Sequence, residues 1–199
     1  PAEYDLVLGK GRDLPLDFSL WKEQARSRYI LSDAKLPFMV YINDRGRIDA
    51  VSENRLKWTL APGSEIVSCP VWDAEMIYCS TADEKILAVS IAEGRVVWSR
   101  KLDGVLFGSK LVFAGNTLMA ATSKGWLYRI AKNGRVDWMM KLPAGVYAVP
   151  AVRNNLVFVP AQDGILYVID LNMRLVVLRI QTGKMVGSSP VIADGRVYC

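Results

Sequence analysis

Trp58, Trp98 and Trp138 stand forty residues apart, and Leu178 takes the next place in the series. Pro70, Lys110, Pro150 and Pro190 keep the same interval, as do Arg55, Arg95 and Arg135, each three residues before its Trp. The segment GRVVWSRKL at 94–102 returns as GRVDWMMKL at 134–142. A period of this length restricts a chain to copies of one supersecondary unit that cannot cover its own apolar surface and must be covered by its neighbours.

The unit itself is made of short strands. In residues 68–101, SCPVW is followed by a turn at Asp73-Ala74, then EMIYCS, a polar loop, ILAVS, a second turn and RVVWSRK. Each run has about 4–7 residues rich in β-branched and aromatic types and is bounded by polar or glycine-bearing breaks. The following units place Gly115-Asn116, Asn133-Gly134, Asn154-Asn155 and Asp163-Gly164 at the corresponding breaks; such residues accept the positive φ of tight hairpin turns. Four antiparallel strands per forty residues predict an all-β β-propeller of four-stranded blades. The blades fall at 27–60, 68–101, 108–141 and 148–181, and 188–199 supplies two strands of a fifth. About four and a half blades is less than a closed ring, so the expectation is a partial propeller. YDLVLG at 4–9 is a candidate strand for completing the last blade, but not two strands. The rest of residues 1–26 is expected to be an arm or docking segment, with Asp17 as the cap of a short helix carrying Phe18, Trp21 and Ala25.

In such a ring each fourth-strand Trp is expected to pack between blades, removing roughly 150–250 Å² from water. The opening residue of each first strand is small every time: Ser68, Gly108, Ala148, Ser188. That strand runs closest to the axis, where backbones crowd.

Composition narrows the chemistry. The chain has no histidine, which removes the commonest general base and metal ligand. Cys69, Cys79 and Cys199 have no CxxC spacing. Pairing about a turn at Asp73-Ala74 sets Cys69 opposite Tyr78 and Ser68 opposite Cys79, so the two thiols lie diagonally and are expected to be buried and unbridged. Asp44, Asp83, Glu84 and Asp163 fall at hairpin loops and are expected to form turns. Asp103, Asp137 and Asp170 are scattered one to a blade and form no visible acid–base pair. Trp126 opens a third strand, where core packing is the expected role and stacking on a planar ligand the alternative. No catalytic, cofactor-binding or metal-binding residue is assigned. The net charge of +5 is dispersed beside turns, which excludes a phosphate-tracking block and points away from nucleic acid. No apolar run reaches the roughly 20 residues of a transmembrane helix, so membrane association is expected only through partners or a lost anchor.

The stretch AVSIAEGRVVWSRKL at 88–102 resembles the pyrroloquinoline-quinone-like propeller repeat, with Ala88, Gly94 and Trp98 at its motif positions. Gly134 and Trp138 match it in the next unit; the fourth blade, YVIDLNMRLVVL, keeps Asp170 but neither the Gly nor the Trp. The likeness covers about residues 27–199. It implies one of two occupations. Quinoprotein dehydrogenases hold quinone and calcium at the ring centre, and a fragment of such an enzyme, its catalytic centre outside this chain, is the alternative reading. The non-catalytic branch, which includes the lipoprotein of the barrel-assembly machinery, is closer in style. It implies a scaffold for protein–protein interaction in a larger assembly, in the periplasm or another extracytoplasmic space. The quinoprotein branch shows adjacent cysteines and clustered oxygen ligands, which this chain lacks, so no cofactor is expected.

Under the scaffold reading, the loops between blades emerge on one face and carry Phe107, Tyr147 and Met185 as candidate partner contacts. The alternative is that Phe107 and Tyr147 plug the central channel. The opposite face is expected to carry Arg55, Arg95 and Arg135 as a basic arc. Trp58, Trp98, Trp138, Gly94 and Gly134 are expected to be the structural signature of the repeat.

Overall fold

A computed structural model of the chain describes residues 5–8, 27–32, 38–43, 46–52, 55–108, 111–183 and 187–199. The expected helix behind Asp17, together with Asp44, Lys110 and Met185, lies outside these residues. The described residues are strands and turns, without a helix.

Four sheets repeat one meander. The first contains β1 (Asp5–Leu8), β2 (Ser27–Ser32), β3 (Met39–Asn43), β4 (Ile48–Ser52) and β5 (Arg55–Leu60). The second contains β6 (Val71–Trp72), β7 (Met76–Ser80), β8 (Lys85–Ser90) and β9 (Val96–Lys101). The third contains β10 (Val112–Ala114), β11 (Thr117–Ala121), β12 (Trp126–Ala131) and β13 (Val136–Lys141). The fourth contains β14 (Ala151–Arg153), β15 (Leu156–Pro160), β16 (Ile165–Asp170) and β17 (Leu175–Gln181). A two-stranded sheet follows, β18 (Val191–Ala193) and β19 (Arg196–Tyr198). This is the propeller of four-stranded antiparallel blades that the forty-residue period predicts.

Two expectations need correction. The strand in YDLVLG exists, but β1 pairs in parallel with β2, Asp5 opposite Tyr29 through Leu8 opposite Ser32. It takes the free backbone edge of the first blade and adds nothing to the last. The β6–β7 hairpin turns one residue later than expected, which shifts its pairing by two residues. Val71 faces Tyr78 and Trp72 faces Ile77, because Asp73 closes the turn: its N–H donates to the Met76 carbonyl, and its Oδ1 accepts from the N–H of Glu75 and of Met76. Counting back, Cys79 faces Pro70 and not Ser68. Cys69 and Cys79 remain buried thiols, and the Ser68 hydroxyl meets that of Ser80 at 2.6 Å.

Each blade is apolar on both faces, because alternate residues of a strand point to opposite neighbours. In β7, Ile77 and Cys79 join Leu31, Val40, Ile42, Ile48 and Ala50 of the first blade. Tyr78, between them, joins Leu118, Ala120, Tyr128 and Ile130 of the third. In β11 the other set, Met119 and Ala121, joins Val157, Val159, Tyr167 and Ile169 of the fourth. Three cores thus lie between sheets. Ile42, Ile48, Ile77 and Leu118 are fully buried, and each such side chain stabilises the fold by roughly 1.5–3 kcal/mol. The blades therefore stabilise one another.

The inner strands sit side by side, β10 against β14 and β14 against β18. A Cβ on Gly108 would lie 2.7 Å from the Tyr147 carbonyl oxygen of the next blade, so only glycine fits there. The Val149 N–H donates to Ser189 Oγ at 2.9 Å, one blade further round. The Gly108 approach accounts for the small residue expected at that place near the axis.

A β-bulge recurs at one place in every blade, between the third and fourth strands at Ala50/Val51, Ala88/Val89, Arg129/Ile130 and Val168/Ile169. It bends the outer strand and increases its twist, and just beyond it lies the tryptophan. Trp58 sits opposite Ala50 and Trp98 opposite Ala88. Each reaches into the following blade: Trp58 Nε1–H donates to the Ile91 carbonyl at 2.8 Å, and Trp98 Nε1–H to the Lys132 carbonyl at 2.7 Å. Ile91 directly follows β8 and Lys132 directly follows β12, so the two acceptors are equivalent although forty-one residues apart. Relative to the second blade, the third has one more residue between the preceding tryptophan and its first strand and one fewer between its third and fourth strands, which restores the forty-residue spacing of the tryptophans. The ring lies on the turn glycine. A Cβ at Gly134 would approach Trp98 Cδ2 to 2.8 Å, and one at Gly94 would penetrate the Trp58 ring. The Gly–Trp pairs of the repeat are therefore one contact made across a blade boundary.

Candidate functional site

The connections between blades gather on one face with the turns joining second to third strands, and backbone hydrogen bonds tie the two together. The Leu102 N–H donates to the Glu84 carbonyl at 2.8 Å in the second blade, while the Val105 carbonyl accepts from the Ser123 N–H at 2.8 Å in the third. One period on, the Leu142 N–H donates to the Gly125 carbonyl at 2.8 Å, and the Gly145 carbonyl accepts from the Gln162 N–H at 3.0 Å. The first connection is held likewise, the Glu65 carbonyl accepting from the Ala82 N–H at 2.8 Å. The second and third connections are thus anchored on the blade they leave and on the blade they enter, and the first on the blade it enters.

From this anchored backbone the side chains diverge in alternation. Leu106 and Val146 are buried, at 1% and 0% exposure, and key the loops into the cores. Their successors Phe107 and Tyr147 are 58% and 43% exposed. Two aromatic side chains thus project from equivalent positions of consecutive blades. Met185, the third expected contact, lies outside the described residues.

Beside them is a charged network that sequence reasoning did not assemble. Lys124 Nζ donates to Glu84 Oε1 and Asp103 Oδ1, both at 2.9 Å, and Trp126 Nε1–H donates to Asp103 Oδ2 at 2.9 Å. Lys141 Nζ lies 5.2 Å from the centre of the Trp126 ring. The Lys124 ammonium, together with the Trp126 N–H, holds the Asp103 carboxyl below the usual carboxylate range, and Asp103 and Glu84 raise Lys124 in return. All of it is solvent-facing, so its charges set orientation and contribute little to stability. Trp126 is half-buried and packs against the core between the second and third blades, as expected, while its N–H holds Asp103. No sequence signal marked this cluster, since its members come from three turns and two strand ends.

The remaining carboxylates hold turns. Asp163 Oδ1 accepts from the Ile165 N–H at 3.2 Å, and its Oδ2 accepts from the Tyr167 hydroxyl at 2.6 Å. Asp170 Oδ1 accepts from the N–H of Asn172 and of Met173 and from the Asn155 side chain. Asp83 is held at about 2 by Lys85 and Thr81. The basic arc on the opposite face is weaker than expected: Arg95 pairs with Glu93, and Arg135 Nη2 lies 2.8 Å from Asp137 Oδ1.

Calcium takes about 6–8 oxygen ligands, and among the described residues no three His, Cys, Asp or Glu side chains converge as a metal site. Cys69 and Cys79 are buried in the core between the first two blades, and burial pushes the Cys79 thiol up to about 12. Among the described residues no helix is long and apolar enough to cross a membrane.

Comparison with solved structures returns chains of similar fold. BamB from Moraxella catarrhalis superposes with a TM-score of 0.73 at 14% identity, over 83% of this chain and 55% of that one. The computationally designed Ika8 protein gives 0.73 at 15% identity, over 86% and 54%. A chain of the Mitotic Checkpoint Complex gives 0.68 at 13% identity, over 81% and 53%. The chain spans about half the length of these structures, and at such identities the likeness is one of fold. No curated protein matches the sequence. The family model described as outer membrane protein assembly factor BamB matches residues 38–106 and 100–174, which together cover more than half of the chain. The chain belongs to that family of pyrroloquinoline-quinone-like propeller repeats.

Proposed function

We propose that this chain is a non-catalytic propeller scaffold that binds a protein partner on the face of its blade connections, with Phe107 and Tyr147 as principal contacts and Met185 beside them. The observation that carries this reading is the pairing of two exposed aromatic side chains with backbone hydrogen-bonded on both sides. Rigid presentation lowers the entropy lost on binding, and aromatic anchors often dominate such interfaces. Residues 27–199 act as the blade array and 1–26 as an arm on it. Membership of a family described as an outer membrane assembly factor supports a partner within an outer-membrane assembly complex and an extracytoplasmic location.

Affinity capture with the wild type and with the Phe107→Ala/Tyr147→Ala double variant, from extracts of the source cells, tests the reading. Both side chains are exposed, so the variant should unfold within about 0.5 kcal/mol of the wild type. It should lose the partner that the wild type retains. An unchanged set of captured proteins from a folded variant overturns the assignment of this face.

A further inference from the structure

We propose that, of the three seams that enclose a buried core, the one between the third and fourth blades is the place where this array opens, with β14–β17 swinging away from the first three blades. Three observations meet at that seam and at no other among the described residues. First, Trp138 is 9% exposed, yet its Nε1 has no hydrogen-bond partner, whereas Trp58 and Trp98 each donate to the next blade. Second, the equivalent acceptor is engaged elsewhere. Leu171 directly follows β16, as Ile91 follows β8 and Lys132 follows β12, and its carbonyl accepts from Arg129 Nη1 at 3.5 Å. Arg129 stands opposite Trp138, where the first two blades have Ala50 and Ala88 opposite their tryptophans. A long guanidinium bond has replaced a short indole bond, and the indole N–H is left buried. Third, the turn glycine is gone. Arg174 occupies that turn at φ 59°, a backbone state that costs a side-chain-bearing residue free energy. An unpaired buried donor weakens its seam further. In a linear array of stacked units, the weakest of the interfaces that bury a core sets where the cored blades begin to separate.

Native-state hydrogen exchange on the whole chain tests this. Amides of β15 and β16 should exchange as one group, faster than those of β7 and β8. The double substitution Arg129→Ala/Arg174→Gly frees the Leu171 carbonyl for Trp138 and restores the glycine, and should slow exchange of that group by about tenfold. Rates changed by less than about twofold in the folded variant would sink the proposal. A second pair of variants does not depend on the repair. Trp98→Phe removes a made hydrogen bond and should speed exchange in β11 and β12 by about fivefold. Trp138→Phe removes an unmade one and should change β15 and β16 far less. Equal acceleration by the two replacements also overturns the proposal, because the two seams would then be alike.

Discussion

The contact between a tryptophan and the turn glycine of the next blade can be measured by comparing two glycines. Replacing Gly134 by Ala places a Cβ 2.8 Å from Trp98 Cδ2 and 3.0 Å from Cε3. Carbon atoms prefer about 3.5–4.0 Å, so the ring must retreat by most of an ångström. That displacement stretches the 2.7 Å bond to the Lys132 carbonyl beyond useful range and leaves a half-buried N–H and its acceptor unsatisfied, a loss of about 1–3 kcal/mol. Gly134 is also at φ 83°, which adds about 1–2 kcal/mol for any L-residue. Gly115 supplies the control. It has φ 60° and open space around the added methyl, so Gly115→Ala incurs the backbone cost alone. Urea denaturation followed by tryptophan fluorescence should give Gly134→Ala a destabilisation larger than Gly115→Ala by about 1–3 kcal/mol. Equal losses at the two positions would show that the indole does not rest on the turn and would remove the basis for reading Gly and Trp as one inter-blade contact.

Two further outcomes follow from the same coordinates. The Cys79 thiol is raised to about 12 by burial, so the folded state holds its proton where the unfolded chain has lost it. Stability is therefore complete below about pH 9 and declines from there to about pH 12, by up to about 1.4 kcal/mol per pH unit from this group. Urea midpoints against pH should show Cys79→Ala flattening the decline between about pH 9 and 10, below the range in which Tyr167, raised to about 12, begins to contribute; an unchanged slope there refutes the assignment. The buried hydroxyls of Ser68 and Ser80 satisfy one another, so Ser80→Ala should destabilise by about 1–2 kcal/mol, with the double variant scarcely worse. Simple additivity in that cycle would mean that the pair is not coupled.

What the chain discloses in one dimension is the part that repeats. Trp58, Trp98, Trp138, Gly94 and Gly134 announce the blade and its period because one contact is made again at each boundary. The departures stayed hidden because they arise from pairing across strands. Arg129 is unremarkable until β12 sets it opposite Trp138. One residue more in the connection entering the third blade and one fewer in its last turn leave the tryptophan spacing untouched and so leave no trace in it. The hairpin of β6 and β7 turns one residue later than a turn centred on Asp73-Ala74 predicts, because Asp73 is the first residue of the turn and its carboxylate and backbone close it. The face carrying Phe107 and Tyr147 was legible from blade geometry, but the buttress of Lys124, Asp103 and Trp126 was not, since it joins residues from separate blades.

The double anchoring of the second and third connections separates shape from chemistry. The bonds that fix Leu102, Val105, Leu142 and Gly145 are made by main-chain atoms and are indifferent to which side chain occupies the neighbouring tip. Positions 107 and 147 can therefore exchange one recognition residue for another while the frame beneath stays put, and a new specificity can be grafted onto this rim without redesigning the wheel.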